Sequence, residues 1–291
     1  MSKKQVFVVK GSTPYYGMWV DYDKIISVDK SEEPRQVTIT CKDVTTMCSM
    51  FEDCSNLILL DLSNFDTSNV THMHDTFSNC SSLTALDLSS FNTSKVRDMV
   101  GMFSGCSSIT SLDLSNFDIS NVKYMGGMFY NCHHLVSLNV SNFDTSNVTG
   151  MNDMFENCFS LAKLDLSSFD TSKVRNMDNM FSNCYELTTL NLSNFNTSKV
   201  SSMYNMFNGC YNITSLDISN FNTSNVTDMR GMFDNCRSLT TIKGVIDMTN
   251  CINYERMFHN CSKLKGVKIK NPPLDFESVT GLSKSQYTVV S

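Results

Sequence analysis

From Leu57 to Cys236 the apolar residues return to the same places every 26 positions. In the unit Leu57–Cys80, Leu60-Asp61-Leu62 alternates apolar and polar, the period of a strand that buries one face. After Phe65 and the polar run Asp66-Thr67-Ser68-Asn69 the period changes. Val70, Met73, Thr76, Phe77 and Cys80 lie at i, i+3, i+6, i+7 and i+10, the spacing of one helix face. Later units place Met102, Met128, Met154, Met180, Met206 and Met232 in the Thr76 column. Ser68 and its equivalents Ser94, Ser120, Ser146, Ser172, Ser198 and Ser224 stand where an N-cap belongs. Only Asn or Gly precedes the cysteine (Asn79, Gly105, Asn131, Asn157, Asn183, Gly209, Asn235), the residues that tolerate a left-handed helix end. Each unit therefore reads as strand, turn, capped helix of about three turns, and a sharp turn back.

A fixed period of this length predicts a solenoid, whose units are stable only when stacked. The expected fold class is α/β: a right-handed repeat solenoid with a parallel sheet on one face, short helices on the other, and capped ends. At about 4.8 Å per strand the stack is roughly 40 Å long. Residues 1–40 read as a β-rich N-terminal cap, with short strands at 5–9, 18–22, 24–28 and 36–40 and the single Trp19. Residues 41–261 are the solenoid, seven full repeats with partial repeats at both ends. Residues 262–291 are a C-terminal cap or tail. Leu264–Lys270 reads as a last strand, and Tyr287–Val290 as a cap strand or, alternatively, a strand that docks on a partner.

The segment L-x-x-L-D-L-S-x-F, as in Leu57–Phe65, is similar to the leucine-rich-repeat strand L-x-x-L-x-L-x-x-N. With F-[DN]-T-S-[NK]-V-x-x-M-x-x-M-F-x-[NG]-C added, the unit resembles the 26-residue repeats of BspA-like bacterial surface proteins over residues 41–261. That resemblance implies adhesion or host-surface binding by a secreted or lipid-anchored protein. Phe65 and its equivalents take the column where many leucine-rich repeats carry Asn, so a Phe spine replaces an Asn ladder.

Composition narrows the partners. The chain is 41% hydrophobic and 18% charged, with net charge −6, which argues against nucleic acid or an anionic membrane as partner. Apolar runs all fall short of the roughly 20 residues of a membrane span, so membrane insertion is not expected. Lys3 and Lys4 precede only Val6–Val9, too short for a secretory signal, and no lipidation cysteine stands near the start. Cytoplasmic synthesis is expected, with retention there or exit by a signal-free route such as assembly onto a phage particle.

Three columns carry candidate chemistry. The cysteines at 54, 80, 106, 132, 158, 184, 210 and 236, followed by Cys261, sit in the apolar stripe. Their parallel Cβ vectors disfavour disulfides, and they offer no tetrahedral zinc cage, so they read as buried thiols. Between the buried leucines lie Asp61, Asp87, Asp113, Asn139, Asp165, Asn191 and Asp217 on the exposed face, followed outward by serines. Such carboxylates suit a cation or a hydroxyl-rich ligand, or are simply solvated, and no bidentate Glu or Gly-rich loop specifies calcium. After the cysteine come Ser81, Ser107, His133, Phe159, Tyr185, Tyr211 and Arg237. Four successive rings make His133, Phe159, Tyr185 and Tyr211 the leading binding stripe, with plain ring stacking as the alternative. No G-x-S-x-G, phosphate loop or H-E-x-x-H occurs, and no cofactor is expected. The functional expectation is a non-enzymatic adhesion protein presenting a rigid surface to a glycan or protein, or alternatively a structural subunit of a phage particle.

Overall fold

The computed structural model describes residues 44–291 in full, preceded by the backbone of strands β1 (Gln5–Gly11), β2 (Ile25–Glu32) and β3 (Gln36–Cys41). The expected strand at 18–22 and Trp19 lie outside the described residues. The repeats wind into a parallel β-solenoid of about eight turns.

The first half of the unit behaves as its alternation predicts. Leu60 and Leu62 are buried and Asp61 between them is exposed. Strands β4 (Leu57–Asp61), β5 (Ser111–Asp113), β6 (Ser137–Asn139), β7 (Ser215–Asp217) and β8 (Thr241–Lys243) all fall on this segment. Parallel pairing keeps the unit register, with Leu112 opposite Leu138 in β5–β6 and Leu216 opposite Ile242 in β7–β8. The sheet is assembled from such short pieces and does not run unbroken along the molecule.

The second half corrects the sequence reading: the expected helices are absent from the repeats. The N–H groups of Met73, Asp75, Phe77 and Asn79 do not turn back four residues. They donate to Asp98, Val100, Met102 and Ser104 of the next unit at 2.9, 2.8, 2.9 and 2.7 Å. Between them Ser78 and Cys80 close tight turns onto the carbonyls of Asp75 and Phe77 at 3.0 and 3.1 Å. Each unit has two left-handed residues four apart, as at Asp75 and Asn79 (φ 52° and 57°). The second of these positions was foreseen from its Asn/Gly composition, but it closes a turn and ends no helix. Consecutive tight turns return a side chain to the core every three or four residues, as a helix does. The apolar spacing therefore fits both, while two left-handed residues within ten forbid a helix. A run of parallel bridges, from His72–Asp98 to Asp228–Asn253, marks the ladder that joins the turns. Ser68 is not an N-cap either. Its own N–H donates to Asp66 Oδ1 at 3.0 Å, so the acidic side chain two residues earlier closes the corner.

Stacked columns build the core. Phe51, Phe77, Phe103, Phe129, Phe155, Phe181, Phe207, Phe233 and Phe258 form a continuous parallel stack with centroids 5.3 to 5.8 Å apart. Phe143 and its equivalents line a second buried spine. From Cys80 to Cys261 each ladder thiol donates to a carbonyl one unit back, as Cys132 to Phe103 and Cys158 to Phe129, both at 3.2 Å. Desolvation pushes the Cys132 and Cys210 thiols up to about 12. All cysteines among the described residues are free. Buried Thr67 both donates to the Asn92 carbonyl at 3.0 Å and accepts the Asn92 N–H at 2.7 Å, and most later units repeat the pair.

At the N-terminal end, β1 pairs antiparallel with β4, Val9 opposite Leu60, in a sheet ordered β2-β3-β1-β4. At the other end, β9 (Val245–Asp247), β10 (Val267–Lys270) and β11 (Tyr287–Val290) make a parallel sheet. The unit that lost one residue bends at Gly244 (φ 119°), where an added Cβ would meet the Ile218 carbonyl at 2.8 Å. The short helix α1 (Phe276–Thr280), the one α-helix among the described residues, takes the place of a further turn. Its Val279 and Thr280 carbonyls accept the N–H groups of Arg256 and Phe258, both at 2.9 Å. Phe276 then meets Phe258 edge-on at 67°, which ends the parallel ring stack.

Candidate functional site

The left-handed Asn or Gly before each cysteine turns the next residue but one outward on a short bend. Tyr185 N–H bonds Asn183 O at 3.0 Å, and Tyr211 N–H bonds Gly209 O at 2.8 Å. Repetition of this corner sets the four rings face to face. His133–Phe159, Phe159–Tyr185 and Tyr185–Tyr211 are 4.5, 4.7 and 4.7 Å apart, with planes within 5° of parallel. Arg237 closes the row, its guanidinium 4.9 Å from the Tyr211 ring centre. The structure thus brings together all four ring residues of the expected stripe. It also shows that the faces of Phe159, Tyr185 and Tyr211 are covered by their neighbours on both sides, so that these three present edges and hydroxyls outward. The rings are half-buried, and desolvation lowers the His133 pKa and raises that of Tyr185.

The acidic column is exposed, and each carboxylate is engaged by its own chain. Asp61, Asp87, Asp113 and Asp165 accept the backbone N–H of the serine two residues on at 2.9 to 3.0 Å. These bonds hold their carboxyls below the usual range. Asp217 is lowered to about 2, first by Lys243, whose ammonium stands 2.8 Å away. Each aspartate therefore closes the turn after its strand; Asp61, Asp87, Asp113 and Asp165 keep one oxygen for solvent or a partner, while Lys243 takes the second oxygen of Asp217. Among the described residues no cluster of three or more His, Cys, Asp or Glu could hold a metal ion, and no helix is long and apolar enough to cross a membrane.

A third feature was not foreseen. On the turns before the cysteines a groove of about 420 Å³ is lined by Val100, Tyr124, Tyr130, Asp153 and Glu156. Gly101, Gly126, Gly127 and Gly150 line it, in columns that carry side chains elsewhere in the stack. Tyr124 is 54% exposed. Asp153 accepts from Asn152 at 2.7 Å and from Asn179 at 2.8 Å. Desolvation, then a hydrogen bond and repulsion from Asp153, push Glu156 up to about 7. The available signal was Gly126-Gly127 together with Gly150, glycines in three columns of this half-unit within one repeat length.

Comparison with family models gave three overlapping matches, at residues 45–164, 105–194 and 158–271, all to the family described as Mycoplasma protein of unknown function, DUF285. The overlapping matches run from 45 to 271, as expected where a family is itself built of repeats. Comparison with curated proteins gave no match.

Proposed function

We propose that this chain, which belongs to the family of Mycoplasma proteins of unknown function DUF285, is a non-enzymatic binding protein that holds a rigid surface to a partner. Reading its repeat as a BspA-like leucine-rich surface repeat favours adhesion. The observation that carries the proposal is the row His133–Phe159–Tyr185–Tyr211–Arg237, five consecutive units with large side chains where others have serine. A surface fixed by stacked turns loses little conformational entropy on binding. Ring edges and tyrosine hydroxyls are typical of protein interfaces, whereas a sugar stacks on a ring face, and here those faces are covered. A protein partner therefore fits the row better than a glycan.

The test is paired substitution with binding to candidate surface proteins and a glycan array, alongside melting curves. Tyr185→Ala with Tyr211→Ala should weaken binding by roughly 2 kcal/mol or more, a hot-spot loss, with little change in folding. Ser81→Ala with Ser107→Ala, in the same column, should leave it unchanged. Unchanged binding in the tyrosine variant would reduce the row to internal packing.

A further inference from the structure

Two half-buried tyrosines of the solenoid have a cation over the ring, supplied from one unit further along. Arg230 lies 5.1 Å from the ring centre of Tyr204, and Arg237 lies 4.9 Å from that of Tyr211. In both pairs the arginine follows the tyrosine by 26 residues. Tyr124 breaks the pattern. Its in-register neighbour, paired with it by a parallel bridge, is Gly150, which has no side chain to lay over the ring. The space so left belongs to the groove, and the ionisable carboxyls that line it, Asp153 and Glu156, are both acidic. Among the described residues no ion pair involves either of them.

We propose that this groove binds a guanidinium group, as on an exposed arginine of a partner, over Tyr124 at the gap left by Gly150 and against Glu156 and Asp153. The site goes beyond the ring row, whose faces are already filled. Its volume suits a single side chain, within the ordinary range for ligand pockets. A cation over a tyrosine is attracted by the ring's negative face, and more so where water is partly excluded. Glu156 supplies the counter-charge. Its pKa is pushed up to about 7 because it is half-buried beside Asp153, while its in-register neighbours Tyr130 and Ser182 bring no cation to it. Asp153 accepts hydrogen bonds from the amides of Asn152 and Asn179, which fix its carboxylate beside Glu156. A bound guanidinium favours ionised Glu156, so below its pKa binding must release a proton, and affinity falls as pH falls.

The experiment is a calorimetric or NMR titration of the full chain with Nα-acetylarginine methylamide, its neutral citrulline counterpart and methyl glucoside. The arginine compound should bind saturably, about tenfold tighter near pH 8 than near pH 6, since ionised Glu156 falls about tenfold over that interval. Citrulline should bind at least about tenfold more weakly, because it keeps the shape and loses the charge. Glu156→Gln should remove the pH dependence. Gly150→Leu should abolish binding while the fold persists, since an added Cβ there finds its nearest contact at an ordinary 3.6 Å. Tyr185→Ala with Tyr211→Ala should leave arginine binding intact, which separates this site from the ring row. Equal binding of citrulline and arginine, retained binding in Gly150→Leu, or binding of methyl glucoside alone would overturn the proposal.

Discussion

Asn205 shows how a single residue type sets the path of the chain. It sits at φ 52°, in the column also filled by Gly101, Gly127 and Gly231 at φ 59° to 61° and by Asp75 at 52°. A left-handed conformation is open to Gly and tolerated by Asn and Asp, but a branched Cβ clashes with the following carbonyl. Asn205→Gly should therefore hold stability within about 0.5 kcal/mol, while Asn205→Val should cost roughly 1–2 kcal/mol or more. Chemical denaturation of both variants checks this, and equal losses would show that side-chain contacts and not backbone geometry govern the position. The candidate site was only partly legible at this scale. The ring row was visible because its neighbours in sequence were serines. The groove was not, because glycine announces an absence, and only in register with Tyr124 does that absence become a space.

Among elements, the strand was legible and the helix was a misreading with a physical source. Leu60-Asp61-Leu62 has a period of two, which only an extended segment satisfies. Val70, Met73, Thr76, Phe77 and Cys80 satisfy a helix face and a series of tight turns equally well. What separates them is the polar column at Asp75, Gly101, Gly127, Asp153, Asn179, Asn205 and Gly231, where a helix interior would pay about 0.7–1 kcal/mol per residue against alanine. Register was also legible, since inward columns stay inward. Phe143 is fully buried and stacks on Phe169 at 6.2 Å, whereas Ser141 is exposed and touches Asn139. Phe143→Ala should cost roughly 3–5 kcal/mol and Ser141→Ala less than about 0.5 kcal/mol, measured in urea. Comparable losses would mean that the inner and outer columns had been exchanged.

At the scale of the whole molecule the stack is held by bonds between units more than within them. Met177, Asn179, Phe181 and Asn183 all donate backbone N–H groups to the following unit at 2.7 to 3.2 Å, and the buried thiols and threonines add cross-unit bonds of their own. Such a lattice is closed at one end by α1 and at the other by β1, and it fixes surface columns in space so that a few off-pattern residues become sites. Turns, not helices, form the second face of the solenoid. Far-UV circular dichroism tests this most directly. The 5 residues of α1 are the α-helix among the described residues, so the spectrum should show β and turn character with a helical fraction of a few per cent. Paired minima at 208 and 222 nm corresponding to about a quarter of the chain, the content of seven helices of three turns at about 3.6 residues per turn, would contradict it.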